Sequence, residues 1–527
     1  MIKKITNMKS IKKITYITIL LTFIFGLNGC KKDLQPVITS SLTPDNFYKT
    51  ADDLNNAVIG LYNSFSSNWG TTDQGVNIWY ASLYNIDIKT YLVRSMLTTD
   101  ELYFNSTWNA DLYNYTWGAS TFQITGSNPT EPTYPKIRFV ARATEVIDKI
   151  QKNTEVVQAV KNQYLAEAYT LRAWLMYVLY DFFGPLNVRL NPETLNDTTI
   201  LPRMTKEAYC TQIESDLNAA LNIPSSSFPE YYNGNASNWG RVSKGVTRML
   251  LLKLYMHNKQ WNKAEAIAKD IMNMHYYGLL TNYADVFNIS GSSSINNEVI
   301  FAIPCNSASP CYWFPPIFPG DFASGNLGRT TTRVSANVNG WYGYWMPWAF
   351  YGKFDTSDTR LNTIITTYYN AKGKVRNKST GMNGAIPMKY TNVVYAPGSS
   401  SGPAFVNDWV VFRYAEVLLS LAEAINEQRG PDEAYQYVNQ VRKRAFGNNS
   451  HDWIGMSKEA FRDSILNERG RELFCEGARR QDLIRHGKFV EYALMRAPGV
   501  TARDTLFPIP SSVIIESKGI VEQNPGY

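Results

Sequence analysis

Two helical hairpins of one pattern, set far apart along the chain, constrain its fold more than any other feature. The first reads as a helix from Ser243 to His257, a turn at Asn258, Lys259 and Gln260, and a second helix from Trp261 to Met274. The other reads as Arg413 to Glu427, a turn at Arg429-Gly430-Pro431, and Asp432 to Ala445. Leu418, Leu421, Ala422, Ala434, Val438 and Val441 fit the small and large positions of the tetratricopeptide template. Tyr255, Ala264 and Ala268 fit the same offsets, with Leu252 in place of a small residue. Small residues there let paired helices approach closely. Because the two units are not consecutive, they predict a helical framework interrupted by long insertions rather than a tandem array.

Three further segments carry a helical pattern. Residues 44–66 read as an amphipathic helix, and so do residues 134–152, with Ile137, Val140, Ala141, Thr144 and Ile147 or Asp148 near helical spacing. Residues 161–183 are strongly helical and stop at Gly184-Pro185. The insertions, 67–133 and 303–410, are rich in Gly, Ser, Asn, Pro and aromatic residues and have little periodicity. Long irregular stretches in a folded chain are functional loops or disordered. Disordered segments are poor in aromatics, so these read as ordered surface loops. The 34 tyrosines and 13 tryptophans exceed what packing alone calls for. Such side chains pair a flat apolar face with a polar tip, which suits exposed binding surfaces.

Charge narrows the function. Five of the seven net positive charges sit on Lys3, Lys4, Lys9, Lys12 and Lys13, so the remainder of the chain carries +2. A balance that near neutrality leaves no electrostatic footprint for nucleic acid. The five lysines precede an apolar run from Ile14 to Leu27, too short to span a bilayer and shaped like a signal peptide. Leu27-Asn28-Gly29-Cys30 resembles a lipobox, with Asn28 departing from the small residue usual there. The reading is a signal peptide over 1–29, lipidation at Cys30, and a chain anchored to a membrane rather than crossing it. Cys305 and Cys311 could close a small disulfide loop, while Cys210 and Cys475 read as buried thiols.

Motifs that suggest chemistry have simpler explanations. Residues 468–482 hold Glu468, Arg469, Arg471, Glu472, Glu476, Arg479, Arg480 and Asp482. Their spacing predicts pairs such as Glu468–Arg471 and Glu476–Arg480 along one helix, with carboxylates too acidic for general-acid work. Gly398 to Gly402 formally matches GxSxG around Ser400, but between prolines, without the strand and helix a nucleophile elbow needs. His257, His275, His451 and His486 lack metal spacing, and His257 and His486 sit near helix C-termini, where a cation is favoured. No cofactor is expected, and a structural calcium finds no support in the sequence.

Several stretches resemble the SusD/RagB family of outer-membrane nutrient-binding lipoproteins. These are YLAEAYTLRAWLMYVLYDFFGPLNV (164–188), GRVSKGVTRMLLLKLYMHNKQWNKA (240–264), NEVIFAIP (297–304), FRYAEVLLSLAEAINEQRG (412–430), VNQVRKRA (438–445), ILNERGRELFCEGARRQDLIRHG (465–487) and LFPIPSSVIIESKGIVEQNPGY (506–527). They keep the family's order across nearly the whole mature chain. The resemblance implies a mainly α fold with four tetratricopeptide-like helix pairs and long irregular aromatic-rich loops. It divides the chain into 30–300 and 301–527, the latter carrying a ligand-loop insertion at 303–410. It also implies a partner, a SusC-like TonB-dependent barrel over which the lipoprotein sits as a lid.

The aromatic loops are the candidates for ligand contact, since the apolar face of a sugar ring stacks on Trp or Tyr while its hydroxyls need amides and carboxylates. Tyr312, Trp313, Trp341, Tyr342, Tyr344, Trp345 and Trp348 lie in the densest runs. The resemblance adds a second segment, 98–117, with Asp100, Asn105, Trp108 and Asn109. The expected function is capture of an oligo- or polysaccharide for the transporter, without catalysis. The alternative is peptide capture by the same architecture. A glycoside hydrolase would need two carboxylates facing one cleft, which no sequence feature marks.

Overall fold

The computed structural model describes residues 47–65, 82–86, 89–104, 107–124, 130–235, 237–288, 296–305, 317–323, 326, 330–331, 340–341, 343–391 and 407–527. Residues 1–29, Cys30, Asn105, Cys311, Tyr312, Trp313, Tyr342 and the GxSxG run lie outside them.

Helix α1, Ala51–Tyr62, begins with a capping box in which Thr50 and Asp53 satisfy each other's backbone N–H groups. Helix α2 is Tyr91–Leu97, β1 is Tyr103–Phe104 and α3 is Ala110–Asn114. Helix α4, Ile137–Lys152, buries Phe139, Val140, Ala143, Val146, Ile147 and Ile150 as one stripe. It packs on α5, Gln158–Phe183, which is buried all round along most of its C-terminal half and ends at Gly184 with φ +72°. A helix apolar on every side belongs in the middle of a fold, and α5 also receives α1 and α6, Lys206–Leu221.

The first hairpin is α7, Lys244–His257, and α8, Trp261–Met272. Strand β2, Val299–Ile303, follows. Then come β3, Tyr344–Pro347, α9, Trp348–Tyr351, β4, Ile364–Ile365, β5, Thr367–Tyr369, β6, Val375–Asn377, and β7, Gly384–Pro387. Strand β8, Trp409–Arg413, runs straight into α10, Tyr414–Arg429, the start of the second hairpin, whose other half is α11, Tyr435–Phe446. Helices α12, Lys458–Leu473, α13, Arg479–Arg485, α14, Phe489–Leu494, and α15, Ser511–Glu516, complete the chain.

The two hairpins, discontinuous in sequence, are neighbours in space, because α8 packs against α10. With α6 against α7 and α10 against α11 and α12, the helices form one continuous row. Leu418, Leu421, Ala422, Ala434, Val438, Val441, Ala264 and Ala268 are all fully buried, as the tetratricopeptide offsets predict. The small residues sit where the helices meet.

Three expectations need correction. Arg413 is the last residue of β8 rather than the start of a helix, because β8 pairs antiparallel with β2, Val299 opposite Arg413 and Ile303 opposite Trp409. Residues 468–482 are not one helix. The chain breaks between α12 and α13, where Cys475 at φ +60° and Gly477 at φ +78° turn it. The described part of 303–410 is not wholly irregular either, since β3 to β7 lie within it. Strands of two to four residues are too short for a visible alternation, so only pairing reveals them.

Candidate functional site

The two aromatic segments singled out in sequence are brought side by side. Strands β1, β3, β7 and β4 form a four-stranded sheet in that order. Tyr103 lies opposite Trp345 and Phe104 opposite Tyr344, so residues 98–117 and 341–348 become adjacent strands. Phe104 and Tyr344 stack with ring centroids 4.6 Å apart and 26° between planes. On the other edge of β3, Met346 pairs with Ala385 and Pro347 with Gly384. A Cβ at Gly384 would lie 2.3 Å from the Met346 carbonyl oxygen, so the strands close only on glycine there.

The predicted contacts divide by burial. Tyr344 is wholly buried and its hydroxyl donates to the Ile86 carbonyl at 2.8 Å. Trp345 is 5% exposed and packs near Tyr368. Asn109 is 2% exposed, ahead of α3. Asp100 accepts from Arg479 Nε and from Lys353 Nζ, each at 2.7 Å. Burial alone would raise Asp100, but Arg479 and Lys353 outweigh it and bring it down to about 2. These four residues are part of the packing, which corrects their reading as ligand contacts. Tyr344 and Trp345 point to opposite faces of β3 and both faces are covered, and Asp100 ties the segment to α13. Trp341 and Trp348 are half-buried and keep surface to offer. The backbone of Trp108 lies in a 3-10 turn, Thr107–Asn109.

Neighbours of Trp348 and of Tyr113, some of which sequence reasoning did not single out, complete the exposed part. Trp348 donates from Nε1 to the Met382 carbonyl at 2.9 Å, which fixes its indole, and Tyr351 meets it edge-on at 5.7 Å. Lys378 Nζ lies 5.6 Å from the same ring, a cation over an aromatic face. Tyr103 and Tyr113, both half-buried, meet at 4.5 Å, and the Arg496 guanidinium covers Tyr113 at 4.5 Å. Tyr103 and Tyr113 belong to a segment already marked as aromatic. Lys378 and Arg496 carried no signal, since their rings come from distant sequence.

The carboxylates of 468–482 have a structural role. Burial would raise Glu468 and Glu472, but guanidinium groups outweigh it and hold both far below the usual range. For Glu468 these are Arg360, Arg471 and Arg442, and for Glu472 they are Arg444, Arg413 and Arg360. Arg413 reaches Glu298 at 3.1 Å, Glu472 at 2.5 Å and Glu476 at 2.7 Å. The expected Glu468–Arg471 pair forms at 2.5 Å. The expected Glu476–Arg480 pair does not, because the break after α12 turns Glu476 toward Arg413 and Lys389, while Arg480 faces Asp181 at 3.6 Å. Ionised carboxylates gripped this way have no proton to donate.

Two of the histidines face acids. His257, last in α7, is 3.6 Å from Asp181, and His486, just past α13, is 3.0 Å from Glu423. Among the described residues no three His, Cys, Asp or Glu side chains could hold a metal ion, and no helix is long and apolar enough to cross a membrane. Cys475 is buried and its thiol pushed well up by desolvation. Cys210 is only half-buried, accepting from Asn258 Nδ2 at 3.4 Å, which corrects its expected burial. Cys305 is buried with its N–H on Asp408 at 2.9 Å.

Comparison with known proteins gives consistent matches. The family described as "SusD family" matches residues 329–527, and the family described as "Starch-binding associating with outer membrane" matches residues 61–240. A SusD-like protein of Formosa agariphila is 25% identical, with 90% of each chain covered. The starch-binding protein SusD of Bacteroides thetaiotaomicron is 23% identical over 86% of this chain and 87% of that one. Surface glycan-binding protein A of Bacteroides thetaiotaomicron, solved with laminarihexaose, has the same fold. Its TM-score is 0.69 at 20% identity, with 90% of this chain and 99% of that one covered.

Proposed function

Because the chain belongs to the SusD/RagB family, we propose that it is a non-catalytic lipoprotein that captures an oligo- or polysaccharide at the outer membrane. It is anchored through Cys30 and passes its ligand to a SusC-like TonB-dependent barrel. The observation that carries this reading is the joining of residues 98–117 and 341–348 in one sheet, with Trp348, Tyr351, Tyr103 and Tyr113 half-exposed around it. Fixed aromatic rings with polar neighbours suit sugar faces and hydroxyls. Relatives support the ligand class, since one is a starch-binding protein and one was solved with laminarihexaose. The family description that matches residues 61–240 supports the membrane.

Affinity electrophoresis of the full chain in detergent against a polysaccharide panel tests the reading. One glycan should retard it, and Trp348→Ala should weaken that glycan about tenfold, the loss of one stacking platform. Trp345→Ala should instead lower stability, because that ring is in the packing. No retardation by any glycan, together with co-purified peptides in mass spectra, would replace saccharide by peptide capture.

A further inference from the structure

A cavity lies between the end of α11, the loop after it, the outer side of α12 and the turn after α9 that carries Lys353 and Asp355. Its volume is about 250 Å³. Drug-sized ligands occupy roughly 300–1,000 Å³, so this one has room for a single ring-sized unit rather than a chain. All its lining residues lie among the described ones.

Its walls combine three properties. The first is a flat surface. The His451 imidazole stacks on Phe446 with centroids 3.8 Å apart and 13° between planes, which leaves its other face for the cavity. The second is surplus positive charge. Arg442 and Arg471 share one carboxylate, Glu468, at 2.8 and 2.5 Å. Lys353 shares Asp100 with Arg479. Glu468 also meets Arg360, which is paired in addition with Asp358 and Glu472, so the surplus is that of the lining itself, Lys353, Arg442 and Arg471 against Asp355. The one acid facing the cavity, Asp355, accepts from the Ser357 N–H and hydroxyl. The third is unused hydrogen bonding. Arg442 is clamped between Phe446 and Trp453, 5.2 and 4.7 Å from their centroids. Its Nε donates to the His451 carbonyl and its Nη1 to Glu468, while its Nη2 has no hydrogen-bond partner among the described residues. The Asn467 amide oxygen is buried and unpartnered, an acceptor waiting for a donor.

We propose that this cavity binds one acidic sugar unit, its carboxylate on the Arg442 and Arg471 wall, its ring on His451 and a hydroxyl on Asn467. A planar carboxylate matches a guanidinium edge better than it matches a lysine. A bare inorganic anion would use neither the ring surface nor a buried acceptor. A neutral sugar would leave the surplus charge unanswered. The site uses none of the half-exposed rings of the aromatic sheet and does not depend on the reading given for it.

Calorimetry of the full chain in detergent with digalacturonate, galactobiose and inorganic phosphate tests this. Digalacturonate should bind at least about tenfold more tightly than either of the others, a preference worth roughly one charge-assisted pair. Arg442→Gln is a poor first variant, since it uncovers Glu468. His451→Ala removes the stacking surface from a half-buried loop residue and should weaken digalacturonate about tenfold. Asp355→Asn keeps the oxygen that caps Ser357, removes the opposing charge, and should tighten binding about threefold. Equal binding of galactobiose or phosphate, no binding of digalacturonate, or wild-type affinity in His451→Ala would each overturn the proposal. Any glycan found by electrophoresis is measured on the His451→Ala protein as well. If it still binds there while digalacturonate does not, the two sites are separate. If no glycan retards the chain but digalacturonate binds, the aromatic-site reading falls and this one stands.

Discussion

The ionic core around α12 and the aromatic sheet around β3 use conspicuous residues in opposite ways. Around α12, the carboxylates that look like chemistry are committed to arginines. Glu472 alone meets Arg360, Arg413 and Arg444, which come from three other parts of the chain. Around β3, aromatic side chains that look alike in sequence are split. Tyr344 and Trp345 are packed inward, whereas Trp348 keeps an edge toward solvent. The two regions are stitched together by Asp100, which belongs to the aromatic segment but pairs with Arg479 of α13. Residue type therefore misleads in both directions. A charge cluster can be scaffold, and half of an aromatic run can be core.

The contrast can be broken most sharply at Glu472. Replacing it by Gln leaves three buried guanidinium groups short of a counter-charge, and unpairing a buried ion costs about 3–5 kcal/mol. Urea unfolding should show a loss of unfolding free energy of that size. A variant as stable as the parent would mean that the network is ornamental.

A smaller effect follows from acid. Burial would raise Asp100 and Asp181, but Arg479 and Lys353 bring the first, and the hydrogen bond from His257 and the charge of Arg480 bring the second, down to about 2. A carboxylate depressed in the fold contributes stability that is complete above its unfolded pKa, near 4, and is lost as pH falls toward 2. Each contributes on the order of 2 kcal/mol, so the melting temperature should be flat from pH 7 to 5 and fall steeply between pH 4 and 2.

The smallest effect is expected at Glu101, which is buried as deeply as Glu472 but has its pKa pushed well up by desolvation. Because burial favours its neutral form, it should tolerate Gln with stability within about 0.5 kcal/mol of the parent or above it. A loss as large as that at Glu472 would show that Glu101 is ionised in the fold and belongs to the network.

Much of the framework was legible in the sequence. The stop at Gly184-Pro185 and the turn at Asn258 to Gln260 are local signals, and the helices end there. The buried small residues of the hairpins followed from a repeat template, which encodes how one helix meets the next. The candidate site was legible only as segments. The run at 341–348 stood out by its aromatics and 98–117 by the resemblance, and the sheet joins them. Which of their side chains face outward could not, because strands this short show no alternation. Lys378 and Arg496 were missed because a cation over a ring needs both partners placed.

The sequence by itself determined the two hairpins, the small residues at which their helices meet, the stop at Gly184-Pro185, and that the acids of 468–482 would be paired with arginines. Those are properties of spacing and composition within a turn or two. Only the tertiary structure decided that α8 lies against α10, that Glu476 turns to Arg413 rather than Arg480, and that Trp345 is packing while Trp348 is surface. Pairing and burial are sums over neighbours from distant parts of the chain. No local pattern carries such a sum until the chain has folded.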